Sequence, residues 1–148
     1  MADLDLTQAE ADELLRMENV RTDDKEYLYP TMGLLTVPLA SKDRSESFLR
    51  DIRRVRIDIS KVTYQNRARQ VVVLARLDLN GPRHRNPDDA EIPCPHLHVY
   101  REGFGDRWAY PLSPGEFTNP ADPWQTLQDF MRYCNVTEPP IISRGIFT

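Results

Sequence analysis

The segment Gln70–Leu79, with the sequence QVVVLARLDL, is the strongest β-strand candidate in the chain. Its apolar run Val71–Leu74 is typical of a central strand covered on both faces. The turn-forming triplet Asn80-Gly81-Pro82 predicts where this strand ends. On either side of it, shorter apolar or alternating segments predict further strands at Tyr27–Tyr29, Gly33–Leu39, Arg54–Ser60, Cys94–Arg101 and Arg107–Tyr110.

Helix-start signals lie near both ends of the chain. Thr7 and Glu10 have the spacing of a capping box, which predicts a helix of about a dozen residues after them. Asp122 followed by Pro123 predicts a second helix, whose apolar residues recur at helical spacing as far as Cys134. Strands in the middle and helices at the ends predict an α+β fold: a single domain over residues 1–148, with an antiparallel β-sheet and an N-terminal and a C-terminal helix packed on it.

Composition excludes several classes of protein. The 148 residues are 40% hydrophobic and 28% charged, which is typical of a folded globular chain. No apolar run approaches the roughly 20 residues of a membrane span, and the acidic N-terminus does not resemble a signal peptide. Two cysteines in a chain of this size do not indicate a secreted disulfide framework. We therefore expect a cytoplasmic protein with no membrane partner.

Charge is distributed unevenly along the sequence. The segment Arg50–Arg69 holds seven basic and two acidic residues, so its charge is +5 within a chain of net charge −4. Such asymmetry favours an anion-binding stripe on an otherwise acidic protein. The alternative is a set of solvated arginines that merely balance an acidic surface.

The segment Pro93–Gly103 carries the residues most suited to chemistry. In an extended strand, Cys94, His96, His98 and Tyr100 share one face, and the apolar residues between them share the other. One hypothesis is a metal site made of Cys94, His96 and His98, completed by His84 or by an acidic residue of the loop 84–91.

The preferred hypothesis is RNA cleavage without a metal or any other cofactor. Histidines titrate near neutral pH, so His96 and His98 are candidate proton carriers, with Tyr100 beside them as a catalytic donor. Cations must then hold the phosphate. The candidate phosphate-binding residues are Lys61, Tyr64, Arg67 and Arg101. Small α+β ribonuclease toxins use comparable sets of residues on a sheet face, a comparison that rests on analogy.

Several segments resemble a family of small bacterial and prophage-borne proteins of unknown function. The resemblance extends over roughly residues 58–142 and is carried by the segments 61–67, 77–82, 95–103, 108–109 and 129–135. It implies a mobile-element or host-defence setting and no established activity. A non-enzymatic inhibitor that binds a host protein is therefore a further hypothesis, and a cognate antitoxin is a possible partner of a toxin. The sequence predicts no oligomeric state.

Overall fold

A computed structural model describes residues 5–55 and 61–145 of the chain. The helices are α1 (Gln8–Arg16) and α2 (Pro123–Tyr133). The strands are β1 (Asn19–Arg21), β2 (Glu26–Leu28), β3 (Gly33–Ser41), β4 (Ser47–Arg54), β5 (Val62–Ala68), β6 (Val72–Leu79), β7 (His84–Arg85), β8 (Glu91–Ile92), β9 (His96–Val99), β10 (Ala109–Pro111), β11 (Val136–Glu138) and β12 (Ile141–Ser143).

Eight of these strands form one mixed sheet in the order β10-β9-β6-β5-β4-β3-β1-β11. All neighbouring pairs in it are antiparallel except β1 and β11, which are parallel. Two smaller pairs, β2 with β12 and β7 with β8, lie beside it. The α+β class and the mostly antiparallel sheet that the sequence predicts are confirmed. The strand predicted at Gln70–Leu79 is β6, which pairs on both sides.

The chain differs from the prediction around β4. The sequence predicts a strand at Arg54–Ser60, but β4 ends at Arg54, and residues 56–60 lie outside the described ranges. The sequence of β4, SFLRDIRR, hides its alternation because Arg50 takes a buried position among the apolar residues. Because the inward-facing residue is charged, a search for alternating hydrophobic residues does not recognise this segment as a strand.

Both helices begin where the sequence predicts. Thr7 Oγ1 accepts a hydrogen bond from the main-chain N–H of Glu10, and Glu10 Oε1 accepts one from the N–H of Thr7, each at 3.1 Å. Asp122 caps α2 by accepting from the N–H of Trp124 at 3.1 Å. Helix α1 has nine residues, fewer than predicted, and ends at Arg16. Neither helix has the length and apolar character needed to cross a membrane within the described residues.

The two faces of the sheet differ in chemistry. On one face, the inward residues of the central strands are apolar, and they share hydrophobic clusters with residues of both helices. Helix α2 contributes Leu127 and Phe130 to the cluster that contains Tyr64 and Leu77, and α1 contributes Leu14 to the other. The alternate residues of the same strands point to the opposite face. Those residues are polar, and they form the candidate site.

Candidate functional site

Two rows of polar side chains cross four adjacent strands, β4, β5, β6 and β9. Directly opposed residues in antiparallel strands lie on the same face, so strand register determines these rows. The first row consists of Asp51, Gln65, Arg76 and His98. The second row consists of Arg53, Thr63, Asp78 and His96. Residues separated by nearly 50 positions in the sequence therefore become neighbours.

The rows line a cleft with a volume of about 700 Å³. Its described lining has five basic residues and two acidic ones, a formal charge of +3 before any histidine is protonated. The whole chain has a net charge of −4, so the positive charge is concentrated here. The basic lining residues are Arg53, Lys61, Arg67, Arg76 and Arg83. A cleft of this charge attracts anions.

At one end of the cleft, Asp78 contacts two histidines. Its Oδ2 lies 3.2 Å from His96 Nε2 and 3.1 Å from His98 Nε2. Its Oδ1 accepts a hydrogen bond from Thr63 at 3.1 Å and lies 3.4 Å from Arg76 Nε. Burial alone would raise the pKa of Asp78, but hydrogen bonds from the two imidazoles in their protonated form and the charge of Arg76 hold that pKa well below its usual value. The carboxylate is therefore ionised.

The other nitrogen of each imidazole faces a main-chain carbonyl. His96 Nδ1 lies 3.3 Å from the oxygen of Pro93, and His98 Nδ1 lies 2.8 Å from the oxygen of Asp106. A carbonyl oxygen can only accept, so each Nδ1 is the protonated, donating nitrogen. Each Nε2 consequently faces Asp78. Both rings are almost fully buried, at 2% and 1% exposure, although they line the cleft.

The third histidine of the chain joins this group from another strand. The ring of His84, in β7, lies 4.5 Å from the ring of His98 and 6.0 Å from that of His96. His84 Nε2 donates to the main-chain oxygen of Arg107 at 2.6 Å. All three histidines of the sequence therefore cluster at this end of the cleft.

Cys94 lines the cleft but lies outside the group of donor atoms formed by Asp78, His96 and His98. Its Sγ donates to the main-chain oxygen of Asp78 at 3.5 Å. Burial raises the pKa of the Cys94 thiol, which favours the protonated form. The sequence-based metal hypothesis grouped Cys94 with His96 and His98. In the structure, the third donor atom near the two histidines belongs to Asp78.

Two of the predicted phosphate-binding residues lie in the cleft. Lys61 and Arg67 both line it, and Lys61 is exposed. Arg67 already pairs with Asp51, with its Nε 2.6 Å from Oδ2. Arg101, by contrast, is exposed outside the lining and stacks over the ring of Trp108 at 4.1 Å.

The two predicted tyrosines point away from the cleft. Strand β9 ends at Val99, and the alternation that carries His96 and His98 does not extend to Tyr100. The hydroxyl of Tyr100 instead accepts from the N–H of Leu6 at 2.7 Å and donates to its carbonyl at 3.0 Å. Tyr64 lies in the hydrophobic cluster on the other face of the sheet. Neither side chain can contact a ligand in the cleft.

Sequence reasoning missed Asp78 and Arg76, which complete the site. Both interrupt the apolar sequence of β6 at alternate positions, so they share a face. That alternation was a usable signal for a polar face. It did not reveal their partners, because these depend on the register between β6 and β9.

The chain belongs to a protein family described as a family of unknown function (DUF6978), which matches residues 6–136. This range includes both rows of the cleft and is wider than the resemblance seen in the sequence. This confirms the predicted membership in a family of unknown function, and the prophage and host-defence setting stays a prediction. Comparison with curated proteins and with solved structures gave no match.

Proposed function

We propose that this member of the family binds a phosphate ester of the nucleotide or RNA class in the cleft and cleaves it at the group Asp78, His96 and His98. One observation carries the proposal: two imidazoles and a carboxylate meet at the end of a cleft whose other charged residues are mostly cationic. The imidazoles and the carboxylate suit proton removal, and the cationic lining suits an anionic substrate.

The cation distribution supports a phosphate ligand. Arg67 and Arg76 are already paired with carboxylates, whereas Lys61 and Arg53 are exposed side chains on the lining with no ion pair to another described residue. Their charges are available to phosphate oxygens, which bind lysine and arginine in many unrelated proteins. Gln65 and Thr63 add polar groups between these cations and the histidines.

The lining also bears on which part of a nucleotide is recognised. Among the described residues that line the cleft there is no Phe, Tyr or Trp. Single-stranded nucleic acid is usually held by base stacking on aromatic rings. Recognition in this cleft would therefore centre on the phosphate rather than on the base, and the substrate can be a strand or a free nucleotide.

The proposed step is hydrolysis. The Asp78–His96–His98 group removes a proton from a water molecule, and the water oxygen bonds to phosphorus. The bond from phosphorus to the ester oxygen breaks, and that oxygen takes up a proton, so one water is consumed per ester bond. Two imidazoles that contact the same carboxylate oxygen favour this shared role. An acid and a base that act on opposite sides of a phosphate need more separate positions.

The test uses the purified, untagged full-length chain with three substrates: a short RNA oligonucleotide, uridine monophosphate and bis(p-nitrophenyl) phosphate. We expect release of product from at least one substrate, and loss of that activity in Asp78→Asn. The matched control is Asp24→Asn, an exposed carboxylate that does not line the cleft, which should retain activity. Circular dichroism checks that both variants are folded.

Analysis of the products distinguishes attack by water from attack by a ribose 2′-hydroxyl. Attack by water leaves a phosphate monoester from the RNA or from bis(p-nitrophenyl) phosphate and inorganic phosphate from uridine monophosphate, whereas attack by a ribose 2′-hydroxyl of the RNA leaves a cyclic phosphate. Absence of cleavage and of binding with all three substrates would reject the proposal. Unchanged activity in folded Asp78→Asn would reject the assignment of the site.

A further inference from the structure

The register between two paired strands places one carboxylate directly beside two histidines on the same face of the sheet. Asp78 in β6 lies directly across from His96 in β9, and His98 is two positions further along the same face. One donor atom from each of the three residues lies within 4.8 Å of the other two. Because the residues sit on paired strands of a sheet, their spacing depends on backbone geometry rather than on flexible loops.

The hydrogen bonds of the imidazoles direct electron pairs into this space. Each Nδ1–H donates to a main-chain carbonyl, so a neutral ring presents the lone pair of Nε2 toward Asp78. Two lone pairs and a carboxylate oxygen then face one another. Such an arrangement is repulsive unless a cation lies beside or between them, and in this structure the guanidinium of Arg76 partly fills that role, with Nη2 3.1 Å from His98 Nε2 and Nε 3.4 Å from Asp78 Oδ1.

The distances match those between ligands of one metal ion. Bonds of about 2.1 Å place adjacent ligand atoms about 3.0 Å apart at right angles and about 3.4 Å apart at the tetrahedral angle. The separations from Asp78 Oδ2 to the two Nε2 atoms are 3.2 and 3.1 Å. We infer that Asp78, His96 and His98 form a binding site for one divalent transition metal ion, and this inference deepens the proposed function by naming its cofactor.

The surroundings contain the outer contacts that metal ligands usually have. Metal-bound histidines commonly donate their second nitrogen to a carbonyl or carboxylate, and bound carboxylates are themselves hydrogen-bonded. Here the histidines donate to Pro93 and Asp106, and Thr63 holds the second oxygen of Asp78 at 3.1 Å. These contacts orient the three donor atoms before any ion arrives.

Among the described residues, Arg76 competes with an ion for His98 Nε2. Its Nη2 lies 3.1 Å from His98 Nε2, while its Nη1 donates to Asp106 at 2.8 Å. Binding of an ion therefore requires the guanidinium to withdraw from His98 Nε2. Replacing Arg76 by Met should therefore strengthen metal binding, whereas replacing a ligand should weaken it.

The donor set selects among metals. Two imidazole nitrogens and one carboxylate oxygen suit Zn²⁺, Fe²⁺ or Mn²⁺, whereas Mg²⁺ prefers oxygen ligands alone. Three protein ligands leave coordination positions open toward the cleft, where Lys61 and Arg53 lie. A bound ion would lower the pKa of a water molecule at such a position, to about 7 in known zinc enzymes. With the ion present, the three side chains would act as its ligands, and the bound water would lose its proton through the ion instead of directly to them.

Calorimetric titration tests the inference without relying on activity. Untagged full-length protein is treated with chelator, dialysed, and titrated separately with zinc, manganese and magnesium chlorides, and its metal content is measured by mass spectrometry. We expect about one zinc or manganese ion per chain, weak or no magnesium binding, and affinity at least tenfold lower in His96→Gln, His98→Gln and Asp78→Asn. Asp24→Asn is the control and should bind as the wild type does.

The outcomes separate this inference from the proposed function. No stoichiometric binding of zinc or manganese by the folded wild-type chain would overturn the metal site, as would unchanged affinity in folded His96→Gln. Stoichiometric binding without cleavage of any phosphate ester would support the metal site and count against the proposed function. Cleavage that persists at full rate in chelator would support the function and overturn the metal site, as the metal-free hypothesis from the sequence requires.

Discussion

Arg67 and Asp51 are joined by two hydrogen bonds on the wall of the cleft, Nε to Oδ2 at 2.6 Å and Nη2 to Oδ1 at 2.8 Å. Asp51 is almost buried and also accepts from Thr36 at 2.7 Å and from Gln65 at 2.8 Å. The sequence predicted Arg67 as a phosphate-binding residue. The structure gives its guanidinium a partner that already satisfies two of its five N–H groups.

Replacing this carboxylate should reduce stability. Asp51→Asn keeps the size of the side chain but removes the charge that three donors surround. We expect a loss of about 1–3 kcal/mol in the free energy of unfolding, since charge-assisted hydrogen bonds contribute that much when one partner is nearly buried. Urea denaturation measures the loss. Asp24→Asn, an exposed carboxylate in a surface ion pair, should change stability by less than about 0.5 kcal/mol. Equal losses in both variants would contradict the prediction.

Lowering the pH should weaken the stabilisation that the Asp51 carboxylate provides. Burial would raise the pKa of Asp51, but hydrogen bonds from Arg67, Thr36 and Gln65 outweigh it, and the pKa lies below its usual value of 3.8. A carboxyl whose pKa is lower in the folded state stabilises the fold above the unfolded value and loses that effect as pH falls toward the folded value. The stability difference between wild type and Asp51→Asn should therefore be constant near neutral pH and shrink below about pH 4. Urea titrations at several pH values measure it, and a difference that grows on acidification would refute the assignment.

Tyr64 should affect folding and leave ligand binding unchanged. Its hydroxyl donates to the carbonyl of Pro123 at 2.7 Å and lies 2.5 Å from the hydroxyl of Tyr29, on the helical side of the sheet. Tyr64→Phe leaves both partners without this bond, at an expected cost of about 1–2 kcal/mol in stability. The affinity of the cleft for a phosphate ester should not change. A large loss of affinity with normal stability would restore the role that the sequence suggested for Tyr64.

Lys61 should contribute to anion binding through its charge. Lys61→Ala is expected to weaken binding of a short RNA by about fivefold, equivalent to about 1 kcal/mol, and to reduce the dependence of affinity on salt. Lys42→Ala removes an exposed lysine that does not line the cleft, so it is the matched control. Fluorescence anisotropy at two salt concentrations measures both effects. Identical behaviour of the two variants would exclude Lys61 from the binding surface.

Arg50 is fully buried, and its guanidinium donates to the side-chain oxygens of Asn66 and Asn19. Burial lowers the pKa of Arg50, which reflects the unfavourable free energy of the charge in this position. Asn66→Ala removes one acceptor from the buried charge and should cost about 2–4 kcal/mol in stability. The double variant Arg50→Met, Asn66→Leu should cost less than the sum of its single changes. A double-mutant cycle by urea denaturation checks this coupling, and strict additivity would count against it.

The local features of the fold were predictable from the sequence. The capping residues Thr7 and Asp122 act within three positions of themselves, so the helix starts required no knowledge of the rest of the chain. The same holds for His96 and His98, whose shared face follows from the two-residue repeat of an extended strand. Predictions from alternation were wrong at two positions. The inward position of the charged residue Arg50 hid the alternation of β4, and Tyr100 lies beyond the end of β9, where the two-residue repeat stops.

The type of the main elements and the chemical character of one strand could therefore be derived from the sequence alone. The pairing of distant strands was needed to bring Asp78 to those imidazoles, Arg67 to Asp51 and Lys61 to the same cleft. The two kinds of feature differ in the range of the interactions that produce them. Capping and alternation arise from interactions between residues a few positions apart, whereas the register of paired strands is selected by the packing of the whole sheet.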